Sequence, residues 1–344
     1  MDPATTNKIL AAGVAAPSGD NSQPWTFSVG RDSITVRYHT ERDHPILNVE
    51  GRGTLLATGA LIENICIAAK NEGFATLVRD VNTESASILL EFSPAAMGHP
   101  RAASIFQRHS NRHPYHPDIP PEALQALSVE PEPHCRIAVV SDKTAVRNIA
   151  RAATVMEEAA LKTEKIHREF FKSIIWSDEA NQRGESGLFI KTTELPPPVR
   201  GLFRLIRHWS IMRVFNALGL PKLAAKANEG VYARSAACVA VLLDRYLAQD
   251  FIAAGRCMQR VWLEATHQGL AAQPLAGLLY LAEHIERTDD PHIASDLKRR
   301  ALEARVQLEG IFGTAPNSIA IILRVGLPLR PASARSQRKA PVIT

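Results

Sequence analysis

The stretches GALIENICIAAKNEG, Gly59 to Gly73, and GRCMQRVWLEATHQG, Gly255 to Gly269, each begin and end on glycines fourteen positions apart and carry apolar residues in the same columns. Leu61 aligns with Cys257, Ile62 with Met258, Ile65 with Val261, Cys66 with Trp262 and Ala69 with Ala265. The columns recur at i, i+1, i+4, i+5 and i+8, the broad stripe of an amphipathic helix buried along most of one side. Gly73 and Gly269 stand where a left-handed residue would close each helix. Upstream, WTFSVGRDSITVR, Trp25 to Arg37, matches CRIAVVSDKTAVR, Cys135 to Arg147, in length and alternation. Each reads as a strand, a polar turn and a second apolar stretch. The chain thus reads as two related halves, residues 1–100 and 101–344.

The halves differ in size. Trp25 to Gly59 is 34 positions and Cys135 to Gly255 is 120, so the second half holds roughly 86 additional residues there. Such an excess predicts an insertion, helical over about residues 151–232, and insertions beside a site commonly act as lids. RAATVMEEAALKTEKIHREFF, from Arg151, has the period and the alanine and glutamate content of a helix. In ELPPPVRGLFRLIRHWSIMRVFNALGLPKLAAKA, from Glu194, three prolines open a basic amphipathic segment. Leu202, Phe203, Leu205, Ile206, Trp209, Met212, Val214 and Phe215 form its apolar side, and Arg200, Arg204, Arg207 and Arg213 its charge. Packing on the protein's own core, a lid over a cavity, and peripheral contact of residues 200–226 with an anionic membrane are its three readings, the first being the commonest fate of such a segment.

A 45% hydrophobic, 22% charged composition is that of a folded chain. The four cysteines are far apart without a CxxC pair, which excludes a disulfide framework or a zinc site of ordinary spacing and fits a reducing cytoplasm. MDPATTNKIL lacks the basic flank and apolar core of a signal peptide, and no run reaches the roughly 20 apolar residues of a bilayer span. The net charge of +5 does not separate nucleic-acid, membrane and phosphate partners.

Chemistry concentrates in four short segments. APSGDNSQPW, Ala16 to Trp25, is a turn of small polar residues at the mouth of a strand, and Pro24 predicts an extended Gln23. RHSNR, Arg108 to Arg112, follows a helical run ending near Phe106; if extended, Arg108, Ser110 and Arg112 point to one side about 6.5–7 Å apart, three donors suited to a phosphate and a carbonyl-rich ring edge. GLAAQPLAG, Gly269 to Gly277, offers small residues that let a ligand approach main-chain amides. RSQRK, Arg335 to Lys339, is a basic cluster near the C-terminus. His109, His113 and His116 lack the spacing of a helical metal pair and read as surface residues, and no grouping suggests a nucleophile, so no catalytic side chain and no metal ligand is assigned.

Together these segments resemble the flavin nitroreductase superfamily, whose motifs PSxxNxQPW, RxSx(R/K), GLxxxPxxG and a terminal basic phosphate contact correspond to PSGDNSQPW, RHSNR, GLAAQPLAG and SQRK. The resemblance implies an α+β fold in which two halves, each an antiparallel sheet flanked by helices, imitate the homodimer of ordinary members. Those members carry the RxSxR and PS motifs in every subunit; here the PS turn lies in the first half and RHSNR in the second. A fused pair that kept one of two equivalent sites explains this, and it is similar to the single-chain Acg-like branch and to nitroreductase-like proteins associated with molybdopterin biosynthesis. The implied cofactor is FMN. Arg108 would contact the pyrimidine edge or ribityl chain, Ser110 and Arg112 the phosphate, and Pro17, Ser18, Gly19, Asn21 and Gln23 the ring side from the opposite half. Pro274 and Leu275 would lie against the cofactor, the Ala276 and Gly277 amides would approach N5 and the neighbouring carbonyl, and Arg338, with Arg335 or Lys339, would finish the phosphate pocket. Ala276 departs from the family's usual glutamate, and the ring-contacting asparagine has no assigned position.

The resemblance further implies hydride transfer from NAD(P)H through flavin N5 to an electron-poor acceptor such as a nitroaromatic or quinone, with no nucleic acid involved. A lid over Leu202 to Phe215 would instead suit an FMN-sequestering protein with little turnover. Internal duplication implies a monomer.

Overall fold

The computed structural model describes residues 1–82 and 84–344. In the first half, alternation of apolar and polar side chains builds a four-stranded antiparallel sheet. Strands β1 (Trp25–Val29) and β2 (Ser33–Tyr38) form a hairpin, and β3 (Phe74–Asn82) pairs with β4 (Ser87–Pro94), in the order β1-β2-β4-β3. Phe27, Ile34, Val36, Ile88 and Leu90 are wholly buried on its inner face.

The second half supplies β5 (Tyr115–His116), β6 (Cys135–Val140), the mutually paired β7 (Ile174–Ile175) and β8 (Leu188–Phe189), then β9 (Ala237–Leu243), β10 (Ala271–Pro274) and β11 (Ile319–Pro328). Its main sheet runs β10-β11-β9-β6, antiparallel throughout, with β5 added at the end of β11. Taken from the other edge, the order β6-β9-β11-β10 repeats that of the first half strand for strand. The second and third strands of each set are joined by the repeated helix, Arg52–Asn71 in one half and Ala248–His267 in the other. Gly73 and Gly269 follow those helices at φ 88° and 72°, the left-handed conformation expected of them.

The two helices pack on each other at their first repeated glycines. A Cβ on Gly59 would lie 2.0 Å from the Ile252 carbonyl oxygen, and one on Gly255 would lie 2.0 Å from that of Leu56. Ile252 and Leu56 each precede the facing glycine by three residues, so the contact is reciprocal, as at a two-fold axis. A single apolar core runs from the first sheet through both helices to the second.

Two expectations are corrected. The stretch Cys135–Arg147 is a strand followed by a helix, Lys143–Lys162, and not a second hairpin. Asp142 caps that helix, its carboxylate accepting from the Thr144 and Ala145 amides at 3.0 and 2.8 Å, and the strand equivalent to β2 is β9. The insertion therefore spans 141–236, between β6 and β9. The helix predicted from Arg151 is broken at Thr163, which is extended, and resumes at Glu164–Lys172. A further enlargement that the repeat did not reveal places helices Gly277–Thr288 and Ser295–Phe312 between β10 and β11; with Lys143–Lys162 they form a second core on the outer face of that sheet. Leu202, Phe203, Trp209 and Phe215 pack on a third cluster, around Phe171, Ile206 and Met212.

Candidate functional site

The C-terminal segment leaves β11, crosses the molecule and lies parallel to β1, where the Phe27 amide donates to the Val342 carbonyl at 2.9 Å and the Thr344 amide to the Phe27 carbonyl at 2.7 Å. On its way it closes a cavity of about 610 Å³ lined by both halves. The first half contributes the end of helix Pro3–Val14 and the turn through Pro17, Ser18, Gly19, Asp20 and Asn21; the second contributes Arg108, His109, Ser110, Arg112, Trp262, Pro274, Ala276 and Gly277. Leu188 and Thr192 come from the insertion and Arg335 to Arg338 from the C-terminal segment.

The RHSNR segment is extended along the edge of β10, with Ser110 bridged to Ala272, and this puts Arg108, Ser110 and Arg112 together on the cavity. Arg108 is buried, its guanidinium 4.4 Å from the centre of the Trp262 ring and donating to the Ala15 carbonyl at 3.0 Å, while its Nε has no partner. Burial, with repulsion from Arg338 and Arg335, pushes the Arg108 guanidinium down to about 9. Burial alone pushes Arg338 down to about 10. Arg112 donates to the Thr192 carbonyl at 2.9 Å and Arg335 to that of Phe106 at 3.0 Å. Among the described residues none of these four arginines forms an ion pair. Among the described residues the one carboxylate on the cavity wall, that of Asp20, accepts from Ser173 at 3.0 Å. Ala276 precedes helix Gly277–Thr288 without capping it, leaving the first amides of a 12-residue helix at the cavity.

Three predicted residues lie elsewhere. Leu275 is buried in the second core, and Gln23 and Lys339 face a separate cavity of about 350 Å³. Gln23 is also not extended: its φ is 51°, despite Pro24. Its amide donates to Ser18 Oγ at 3.0 Å, its side chain donates to the Asn21 and Gly184 carbonyls at 3.3 and 3.1 Å, and it accepts from the Lys339 amide at 2.7 Å. The long-range bonds to Gly184 and Lys339, added to the two within the turn, outweigh the local preference and the roughly 1–3 kcal/mol that a left-handed residue costs. Asn21 lines the main cavity, but its side chain donates to the Gln337 carbonyl at 3.1 Å and accepts from Arg338. The amides that look like ligand contacts in the sequence thus hold turn, insertion and C-terminal segment together.

The segment Leu202 to Phe215 contributes nothing to the cavity wall; the part of the insertion that does is Leu188 and Thr192. Sequence reasoning missed His109 and Trp262. The sequence places His109 on the surface, yet it lines the cavity, where burial lowers its imidazole below the usual range and Nδ1 donates to the Gln107 carbonyl at 2.7 Å. Trp262 stood out only as the bulkiest residue in the helical columns, paired with a cysteine in the other copy.

No family model matches the chain. It is similar to the uncharacterized protein MT1398 of Mycobacterium tuberculosis (strain CDC 1551 / Oshkosh), at 27% identity over 318 residues, covering 88% of this chain and 44% of that protein. The chain therefore spans less than half the length of that relative. Among solved structures it is similar to the FMN-dependent nitroreductase NfnB from Mycobacterium smegmatis in complex with NADPH, at 15% identity and a TM-score of 0.37, covering 70% of this chain and 93% of that one. It is similar also to a nitroreductase with bound FMN from Bacteroides fragilis NCTC 9343, at 12% identity and a TM-score of 0.34, covering 70% and 96% of the two chains. The NADPH:FMN oxidoreductase from Vibrio harveyi complexed with NAD+ aligns at 11% identity and a TM-score of 0.34, covering 67% of this chain and 70% of that one.

Proposed function

We propose that this chain is a flavin oxidoreductase of the nitroreductase type that holds one FMN in the cavity between its halves. One observation carries the reading: four segments scattered from Pro17 to Arg338 meet around a single cavity whose guanidinium groups, among the described residues, form no ion pair. The residues fit the cofactor. The cavity's volume of about 610 Å³ falls within the roughly 300–1,000 Å³ of ligand pockets. The orphaned Arg108 Nε and the uncapped helix start at Gly277 call for an anionic acceptor, and Trp262 and Phe106 offer apolar area to a planar ring.

In this reading Ser110, Arg112, Arg335 and Arg338 hold the phosphate, Arg108 orients the polar side of the ring system, and the Gly277 amide lies toward the ring. Pro17, Ser18 and Gly19 cover it from the first half. Bound FMN would supply hydride transfer between NAD(P)H and an electron-poor acceptor of the nitroaromatic or quinone class. The protein's share is position, exclusion of water and positive charge where negative charge develops. With both halves on one chain, the site is complete in a monomer.

A storage reading rests on one contact, that between Arg112 and the Thr192 carbonyl, which ties the insertion across the cavity. Anaerobic mixing of the purified yellow protein with NADH and with NADPH decides between them. Bleaching of the visible flavin band faster than that of free FMN is expected, and no bleaching would assign storage. Arg112→Ala should release flavin by at least ten-fold in Kd while the circular dichroism spectrum stays native. Colourless wild-type protein that also fails to bind added FMN would remove both readings.

A further inference from the structure

We propose that the solvent side of the helices Pro197–Ile206, Trp209–Ala217 and Leu220–Tyr232 docks on an anionic lipid bilayer. From Leu195 to Asn228 the chain holds four arginines and two lysines and no acid. Among the described residues only Lys226 of these six finds an ion-pair partner, Glu229 at 3.1 Å. The inner sides of the helices are already covered, with Met212 wholly buried and Ile206 nearly so, so the outer apolar residues are not a misplaced core. On that outer side Leu218 is 75% exposed, Leu223 68% and Val214 60%. Arg213, Val214, Ala217 and Leu218 are exposed at i, i+1, i+4 and i+5, and Lys222, Leu223, Lys226 and Ala227 at the same spacing, so aliphatic and cationic residues share each exposed face.

Leu218 and Leu223 flank Gly219, left-handed at φ 81°, around which a Cβ would meet nothing within 4 Å. This open corner can enter the acyl region while Arg213 and Lys222 stay at phosphate depth. Phosphate headgroups over a hydrocarbon phase satisfy both kinds of residue at once. An acidic protein surface satisfies only the charges.

The test is flotation of the full chain with vesicles of phosphatidylcholine mixed with phosphatidylglycerol, against phosphatidylcholine alone. Flotation is expected with the anionic vesicles only and should fall as salt is raised. Arg213→Gln with Lys222→Gln should lower the partition coefficient by about twenty-five-fold, five-fold per charge. Leu218→Ser with Leu223→Ser should lower it by about ten-fold, with thermal melting unchanged because both residues are exposed. Absent flotation, equal flotation on both vesicles, or flotation indifferent to both double variants would overturn the proposal. So would tight binding of polyglutamate without vesicle flotation, which would assign the face to an acidic protein.

Discussion

The matching positions Trp262 and Cys66 lie on two helices built to one pattern, yet their surroundings are electrostatic opposites. Around Trp262 the cations are left open, with Arg108 stacked on its ring and Arg335 and Arg338 close enough to repel it. Around Cys66 they are closed on themselves. Arg256 meets Glu63 at 3.0 Å and Glu132 at 3.1 Å, while Arg260 meets Glu63 at 2.8 Å and also Glu132. Those charges act on the Cys66 thiol, which burial pushes up to about 11. The repeated helices thus set two equivalent positions in opposite surroundings. At Cys66 the chain's own carboxylates pair with the arginines; at Trp262, among the described residues, Arg108, Arg335 and Arg338 form no ion pair.

The comparison depends first on the axis relating the halves. Gly59→Ala and Gly255→Ala each drive a Cβ to 2.0 Å from a carbonyl oxygen that can retreat only if a whole helix moves. Each should cost about 4 kcal/mol or more, or abolish soluble expression, and by symmetry the two costs should agree within about 1 kcal/mol in urea unfolding. One glycine tolerated and the other not would mean that the helices are not related as the repeat implies. The next largest effect is expected on the closed side. Glu63→Ala leaves Arg256 and Arg260 sharing Glu132 alone in a half-buried setting and should destabilise by about 3 kcal/mol in the same measurement. A loss below about 1 kcal/mol would show this network to be as weak as surface ion pairs and would dissolve the contrast.

Much of this was legible in the sequence, for physical reasons that also set the limits. The helix repeat was readable because burial on most of one side constrains five columns in each copy, and the packing glycines because nothing larger fits between touching backbones. The hairpin at Trp25 was readable because one face of its sheet is wet. The stretch at Cys135 misled because TAVRNIA continues with apolar spacing that suits either structure over a few residues, and the helix won through the Asp142 cap and packing against the helices after β10. The co-location of Pro17 to Asn21 with Arg108 to Arg112 follows once two halves are accepted. The long-range bonds of Gln23 to Gly184 and Lys339 do not: local sterics argued for an extended residue, and only the fold brings in partners that reverse the preference. His109 was missed for a related reason, since its neighbours in sequence are polar while those in space are the cavity wall.

The smallest expected effect is the most discriminating. Arg108→Met keeps an unbranched stem that ends about where Nε stands, but removes the guanidinium over Trp262 and with it a charge the native structure holds at a disadvantage. The sign follows from linkage. A base whose native pKa is lowered from 12.5 to about 9 binds its proton less firmly folded than unfolded, so its penalty is complete below pH 9 and is relieved as pH rises from there toward the unfolded value. Ligand-free Arg108→Met should therefore be as stable as the parent protein at pH 7, or more stable by about 1 kcal/mol, with the difference shrinking above pH 9. The stabilisation conferred by an added phosphate-bearing flavin should be lost in the same variant. This reverses the behaviour of Glu63→Ala, in which a satisfied network is broken and no ligand restores it. If Arg108→Met instead costs 2 kcal/mol or more without ligand at pH 7, the guanidinium is already neutralised within the chain, and the two sides of the molecule do not differ in the way their arginines imply.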